Sequence, residues 1–150
     1  MISIWEKYRK ESKQSIVILS VIVLSVKLCK ADGEFTEIER QEILDIVPHE
    51  PEERALLLKI IKEAEVDDGL MIDDARRIKE LLGRESKSFF EFIIATLVRL
   101  AKVDKMVHEE IKFIQQVGEE FELNKNPIME FYENLIKIFQ KKNLELSNNA

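Results

Sequence analysis

Hydrophobic positions along this chain fall into a pattern that occurs twice in the same order. From about Ser15 to Ala31 apolar residues run nearly all round a helix, which marks an element enclosed by neighbours on most sides. An acidic, glycine-centred turn follows, Lys30-Ala31-Asp32-Gly33-Glu34-Phe35-Thr36-Glu37-Ile38-Glu39. The next helix is one-sided, with Ile38, Ile43, Leu44, Ile46 and Val47 inward. The second copy begins with the apolar run Phe89 to Ala101, whose only charges are Glu91 and Arg99, and passes through Lys102-Val103-Asp104-Lys105-Met106-Val107-His108-Glu109-Glu110. It ends in a helix with Ile111, Ile114, Val117 and Phe121 on one face.

The remaining elements fit around these two units. Residues 1–12 form a short amphipathic lead with Ile4, Trp5 and Tyr8 on one face, placed to cover the core. Gly33 supplies a residue able to take positive φ, and Thr36 with Glu39 has the form of a capping box, so a helix starts near Glu37. Pro48-His49-Glu50-Pro51 interrupts the chain, and Pro51 suits the first turn of a helix running to about Val66 with Leu56, Leu57, Ile60, Ile61 and Ala64 as its stripe. After the turn Asp67-Asp68-Gly69, Ile72 or Asp73 opens a short helix that stops at Gly83. Ser86 or Ser88 is the expected N-cap of the second apolar helix, and His108 the start of the helix after it. Asn126-Pro127 opens a last helix with Ile128, Phe131, Tyr132, Leu135, Ile138 and Phe139 inward. The prediction is an all-α fold: one domain over 1–150 with its core at about 15–140, a bundle of about seven to eight helices in two pseudo-repeated halves around two central apolar helices.

Composition narrows the function classes. With 150 residues and 45% hydrophobic content the chain can bury a proper core, and four glycines and three prolines against 35% charged residues favour helices over sheet turns. A net charge of −6 disfavours nucleic acid and suits metal cations or basic partners. The single cysteine, Cys29, can form no internal disulfide and reads as a small buried hydrophobe in a protein of the reducing cytoplasm. The run Ile16 to Val26, preceded by basic residues, has the outline of a signal peptide. About eleven residues span roughly 17 Å, half the hydrocarbon thickness, and Lys27 then interrupts, so a buried core helix is the expectation.

The first acidic turn invites comparison with an EF-hand, because Asp32, Gly33, Phe35 and Glu39 fall at loop positions five, six, eight and twelve. Its front half fails: Leu28 and Lys30 stand where a hard cation needs carboxylates. The second unit, with Lys105 at the glycine position and Ile111 at the twelfth, departs further.

The segments LCKADGEFTEIERQEI and LAKVDKMVHEEIKFIQQVGEEFEL resemble the paired signatures of the TerB-like domains of tellurite-resistance proteins, which also form the N-terminal domain of DjlA co-chaperones. The resemblance covers roughly residues 15–140 and implies the all-helical TerB bundle. It further implies acidic residues at helix ends that bind divalent metal, and ties to stress resistance and membrane-associated assemblies rather than to an established reaction. Residue by residue, Asp32 and Glu39 match the first signature. In the second, Asp104 matches, but Glu110 lies one residue closer than the pattern asks and Lys105 replaces the glycine, placing an ammonium beside a proposed ligand.

The resulting metal candidates are Asp32 and Glu39, with Glu34, Glu37, Asp104 and Glu110 as further ones, for a divalent cation of unspecified identity. A competing reading uses the same residues without metal: Gly33 ends one helix, Asp32 bonds turn amides, and Glu39 closes the capping box on Thr36. Asp67, Asp68, Asp73 and Asp74 crowd around Gly69, where a cation would relieve their repulsion, although a solvated acidic turn is the plainer reading. His49 and His108 lack companions at ligand spacing, and no nucleophile or nucleotide-binding motif occurs. The expectation is a non-enzymatic domain, a stress-response or envelope-associated protein-interaction module with a divalent-cation site at the first turn. Its partners would be proteins, with peripheral association with membrane complexes and a homodimer among the arrangements allowed. The alternatives are a purely structural or scaffolding bundle without metal, and a metal-dependent hydrolase that uses the acidic cluster.

Overall fold

The computed structural model describes residues 3–31, 33–83, 86–103 and 108–123, and the side chains of 101–103 and 108–111 are not among those described. In chain order the elements are α1 (Ile4–Tyr8), α2 (Lys13–Lys30), α3 (Glu37–Ile46), a single 3-10 turn (Pro51–Glu53), α4 (Arg54–Val66), α5 (Met71–Leu82), α6 (Lys87–Val103) and α7 (His108–Glu120). No strand occurs among the described residues, and the fold is an all-α bundle. The expected last helix from Asn126-Pro127 lies outside them, as do Asp32 and Asp104.

Helix α2 is the axis. Its Val- and Ile-rich sequence has only moderate intrinsic helix propensity, so burial rather than propensity holds it. Every residue from Ile16 to Cys29 is buried except Ile18, and α4, α5 and α6 all pack against it. Ser12 caps its start by accepting from the Ser15 N–H at 3.2 Å, and the buried Ser20 hydroxyl is satisfied within the helix by the Ile16 carbonyl at 2.6 Å. The second apolar helix, α6, packs on α2 and α7 and buries Phe90, Ile93, Ile94, Leu97 and Leu100 but exposes Glu91, Phe92, Ala95 and Arg99, so it is less enclosed than its sequence suggests.

Around this pair, α7 rests on α5 and α6, where the Phe90 and Phe121 rings stack with centroids 4.7 Å apart. Helix α1 lies on the bundle with Ile4 and Trp5 buried, and an Arg77–Glu6 ion pair ties it to α5. Among the described residues no helix is long and apolar enough to cross a membrane. Cys29 is buried, as its apolar setting predicts.

Ile38 and Leu56, expected on the inner faces of α3 and α4, are exposed at 69% and 51%, and two details at helix starts also differ from expectation. Helix α5 opens at Met71, one residue before Ile72, with Leu70 at the N-cap and no side-chain cap, because the buried Met71 and Asp74 draw the first turn inward. Ser86 holds the N-cap position of α6, where its carbonyl accepts from the Phe90 N–H at 3.1 Å, but its hydroxyl donates back to the Leu82 carbonyl at 2.7 Å.

Candidate functional site

Lys27 sits in the last turn of α2, among residues that are otherwise almost all apolar, and its ammonium is buried. An isolated ammonium in that setting would cost several kcal/mol. Here each of its three protons has an acceptor: Asp67 Oδ1 at 2.8 Å, the Gly69 carbonyl at 2.8 Å and Asp74 Oδ2 at 2.5 Å. The remaining oxygen of Asp74 accepts from the Trp5 indole N–H at 2.9 Å, and Asp67 Oδ1 also accepts from the Gly69 N–H at 2.9 Å. One cluster therefore joins α1, α2, the α4–α5 turn and α5.

Local sequence explains why the turn can be gripped in this way. The Asp67 carboxylate reaches the amide two residues ahead, a turn habit of aspartate. Gly69 leaves room for it: a Cβ there would meet Asp67 Oδ1 at 3.1 Å and Lys27 Nζ at 3.4 Å. With Asp67 and the Gly69 carbonyl directed at Lys27, Val66, Asp68 and Leu70 are left exposed.

Electrostatics separate the two carboxylates. At Asp67 burial pushes the carboxyl upward, but hydrogen bonds from Lys27 and the Gly69 N–H overcome it and hold the group below its ordinary value of 3.8. At Asp74 burial dominates and raises the carboxyl above that value, although Lys27 and Trp5 both donate to its ionised form.

This corrects the reading of the acidic turn around Gly69 as a solvated one. Asp68 and Asp73 face water as expected, whereas Asp67 and Asp74 point inward, and the cation that relieves their repulsion is an ammonium of the same chain. In the sequence pattern Lys27 is an interruption of an apolar run and Trp5 chiefly a packing residue, so neither announces the cluster.

The first acidic turn is built differently. Gly33 takes φ +133°, a left-handed value suited to glycine, and its N–H donates to the Lys30 carbonyl at 3.1 Å. Thr36 and Glu39 form the predicted capping box: the Glu39 N–H donates to Thr36 Oγ1 at 3.2 Å, and Glu39 Oε1 accepts from the Thr36 N–H and hydroxyl, each at 2.9 Å. Glu39 is buried; Glu34 and Glu37 are exposed, and Glu37 pairs with Arg40, whose guanidinium also lies 5.2 Å from the Phe35 ring centroid.

Of the six candidate metal ligands, Asp32, Asp104 and the side chain of Glu110 lie outside the described residues. The described three do not assemble into a donor set, and no group of three or more His, Cys, Asp or Glu able to hold a metal occurs among the described residues. The observed bonds of Glu39 Oε1 fit a cap.

Other polar groups are structural in form. Tyr8 and Lys7 on α1 both reach Glu63 on α4, and His49 Nδ1 lies 2.7 Å from the Val47 carbonyl. A cavity of 160 Å³ lined by Lys79, Lys87, Phe90, Phe121, Glu122 and Leu123 falls short of the roughly 300 Å³ at which small-molecule sites begin.

Against known families, residues 18–131 match the one described as tellurite resistance protein TerB, a stretch from within α2 to beyond α7. The chain belongs to the TerB family. No curated protein and no solved structure matches it. The TerB region contains the acidic turns at 30–39, 67–74 and 102–110 together with Lys27, and leaves α1 with Trp5 outside it. TerB membership accounts for the helical bundle and assigns no reaction.

Proposed function

We propose that this chain works by binding a protein partner and catalyses no reaction of its own, in the stress-resistance or envelope-associated setting that the TerB resemblance implies. The observation that supports this reading is the closed ion cluster. Three acceptors satisfy the Lys27 ammonium, and Asp74 is filled by Lys27 and Trp5, so these buried ionisable groups serve to join elements. Their product is a turn held in one conformation at the bundle surface. Pre-organisation of that kind lowers the ordering cost of association.

Affinity capture followed by reconstitution from purified components tests this. A saturable complex with one identified protein supports it; a purified chain that reconstitutes with nothing captured and turns over a substrate contradicts it.

A divalent cation at the first acidic turn, held by Asp32 and Glu39, is the finer part of the proposal and draws on the paired TerB signature. Titration with calcium, magnesium, manganese and zinc, followed by calorimetry and melting with Asp32→Asn as control, decides it. The metal-free scaffold is the second reading, favoured by the capping bonds of Glu39. It predicts no heat and no change in melting.

A further inference from the structure

The three most exposed large hydrophobic residues among those described are Val66, Ile38 and Leu70, at 80%, 69% and 66%. Ile38 is far from the other two in the chain but shares one end of the bundle with them. Arg40 in the first turns of α3 pairs with Glu65 beside Val66 at 3.1 Å, placing the start of α3 against the end of α4. Lys30 at the end of α2 donates to the Glu65 carbonyl at 2.6 Å, and Lys27 grips Gly69 beside Leu70. The ends of α2 and α4 and the starts of α3 and α5 therefore meet, and each of the last three carries one exposed aliphatic side chain.

Charge at this end is one-sided. Within 27–40 and 65–74 the described residues hold eight carboxylates against three cations, and all three cations are engaged: Lys27 in the cluster, Lys30 on Glu65, Arg40 on Glu37 and Glu65. Exposed Glu34 and Asp68 form no ion pair among the described residues. Just beyond these segments the exposed cations are Lys62 on α4 and Arg76 on α5, and Arg76 is paired with Asp73 and Glu120.

Resting on the partner-binding reading above, we propose that this end, with Ile38, Val66 and Leu70 at its centre and Glu34 and Asp68 at its margin, docks a helical segment of a protein partner that presents an apolar ridge flanked by Lys or Arg. The apolar groups supply burial, and the surrounding negative field selects basic flanks and speeds encounter. A nucleic acid or an anionic membrane surface is repelled by the same field. The buried Lys27 cluster keeps Val66 and Leu70 presented before the partner arrives.

A library of displayed helical peptides selected against the full chain tests the proposal. Enriched peptides are expected to carry Leu, Ile or Phe at helical spacing between Lys or Arg residues, and to bind more weakly as salt is raised. The triple variant Ile38→Ser/Val66→Ser/Leu70→Ser, with circular dichroism to verify its fold, is expected to weaken binding at least about tenfold. The control triple Leu56→Ser/Leu58→Ser/Phe92→Ser, at the other exposed hydrophobics, is expected to leave it unchanged.

Enrichment of acidic peptides, or equal binding by the first triple variant, overturns the proposal. So does self-association that the same variant abolishes, which makes the occupant a second copy, and so does binding to anionic vesicles. If a reconstituted partner binds the first triple variant as well as the wild type, this surface is wrong while the partner-binding reading stands; if no peptide and no partner bind, both fall.

Discussion

The Lys27 ammonium lies 2.5 Å from Asp74 Oδ2, and the two side chains are 7% and 6% exposed. A buried pair with that geometry is worth little against an apolar replacement of the whole, yet breaking it from one side strands a charge in the interior. Lys27→Met is therefore predicted to destabilise the chain by about 3–5 kcal/mol. The double variant Lys27→Met/Asp74→Asn keeps an acceptor for Trp5 and removes the more buried of the two charges that Lys27→Met leaves without a cation. It is expected to recover at least about 1 kcal/mol in chemical denaturation, and additive losses would show that the two residues are not coupled.

Gly69 touches the same cluster through space rather than charge. Gly69→Ala places a Cβ against an Asp67 oxygen already held by Lys27 and the Gly69 N–H, so relief of the contact must disturb one of those bonds. The predicted cost is about 1 kcal/mol. Thermal melting checks it, and a stability gain would mean that the turn yields freely.

Two carboxylates predict opposite pH behaviour. Asp67 is held below 3.8 in the folded chain, so its contribution, about 1–2 kcal/mol, is present above that pH and is lost as pH falls through the lowered value. The difference between wild type and Asp67→Asn is expected to be full at pH 7 and to shrink below pH 3.8. Glu42 is the reverse. Burial, then the charges of Glu39 and Asp45, raise its carboxyl above 4.5, and its Oε2 is buried without a hydrogen bond. Ionising it costs folded-state stability as pH rises from 4.5 through the raised value. Glu42→Gln is predicted to stabilise at pH 7 by on the order of half a kcal/mol, with the gain vanishing as pH is brought to 4.5 and below. Melting curves across pH distinguish the two signs.

The cap and the cation at the first turn are separable by mutation. Thr36→Ala removes the acceptor for the Glu39 N–H and is expected to cost about 1 kcal/mol, with or without chelator. Glu39→Gln keeps most of the box and should lower stability slightly. If its effect appears only when a divalent cation is present, Glu39 is a ligand; if it is the same in chelator, Glu39 is a cap.

Periodicity made the helices legible because each buries one stripe or, for α2, nearly all of its surface, and caps such as Thr36 with Glu39 act over three residues and can be read locally. The Lys27 cluster was not legible in this way. It joins residues 5, 27, 67, 69 and 74 across four elements, and no local spacing announces which carboxylate turns inward. The available signal was compositional: a lysine in a buried apolar helix requires a partner, and the turn at Asp67 to Asp74 has carboxylates to spare. Ser86 shows a different limit: its place before α6 is that of an N-cap, as the sequence suggests, while its buried hydroxyl donates to the Leu82 carbonyl, which no local pattern announces.

Everything proposed for the surface depends on Lys27 standing inside the protein as the cation of the acidic turn around Gly69. Heteronuclear NMR of the lysine side-chain ammonium groups reports this directly. The account predicts a Lys27 ammonium resonance whose protons exchange slowly with water and whose exchange quickens in Asp74→Asn. A Lys27 signal that exchanges as fast as those of the exposed lysines, unaffected by Asp74→Asn, would contradict it.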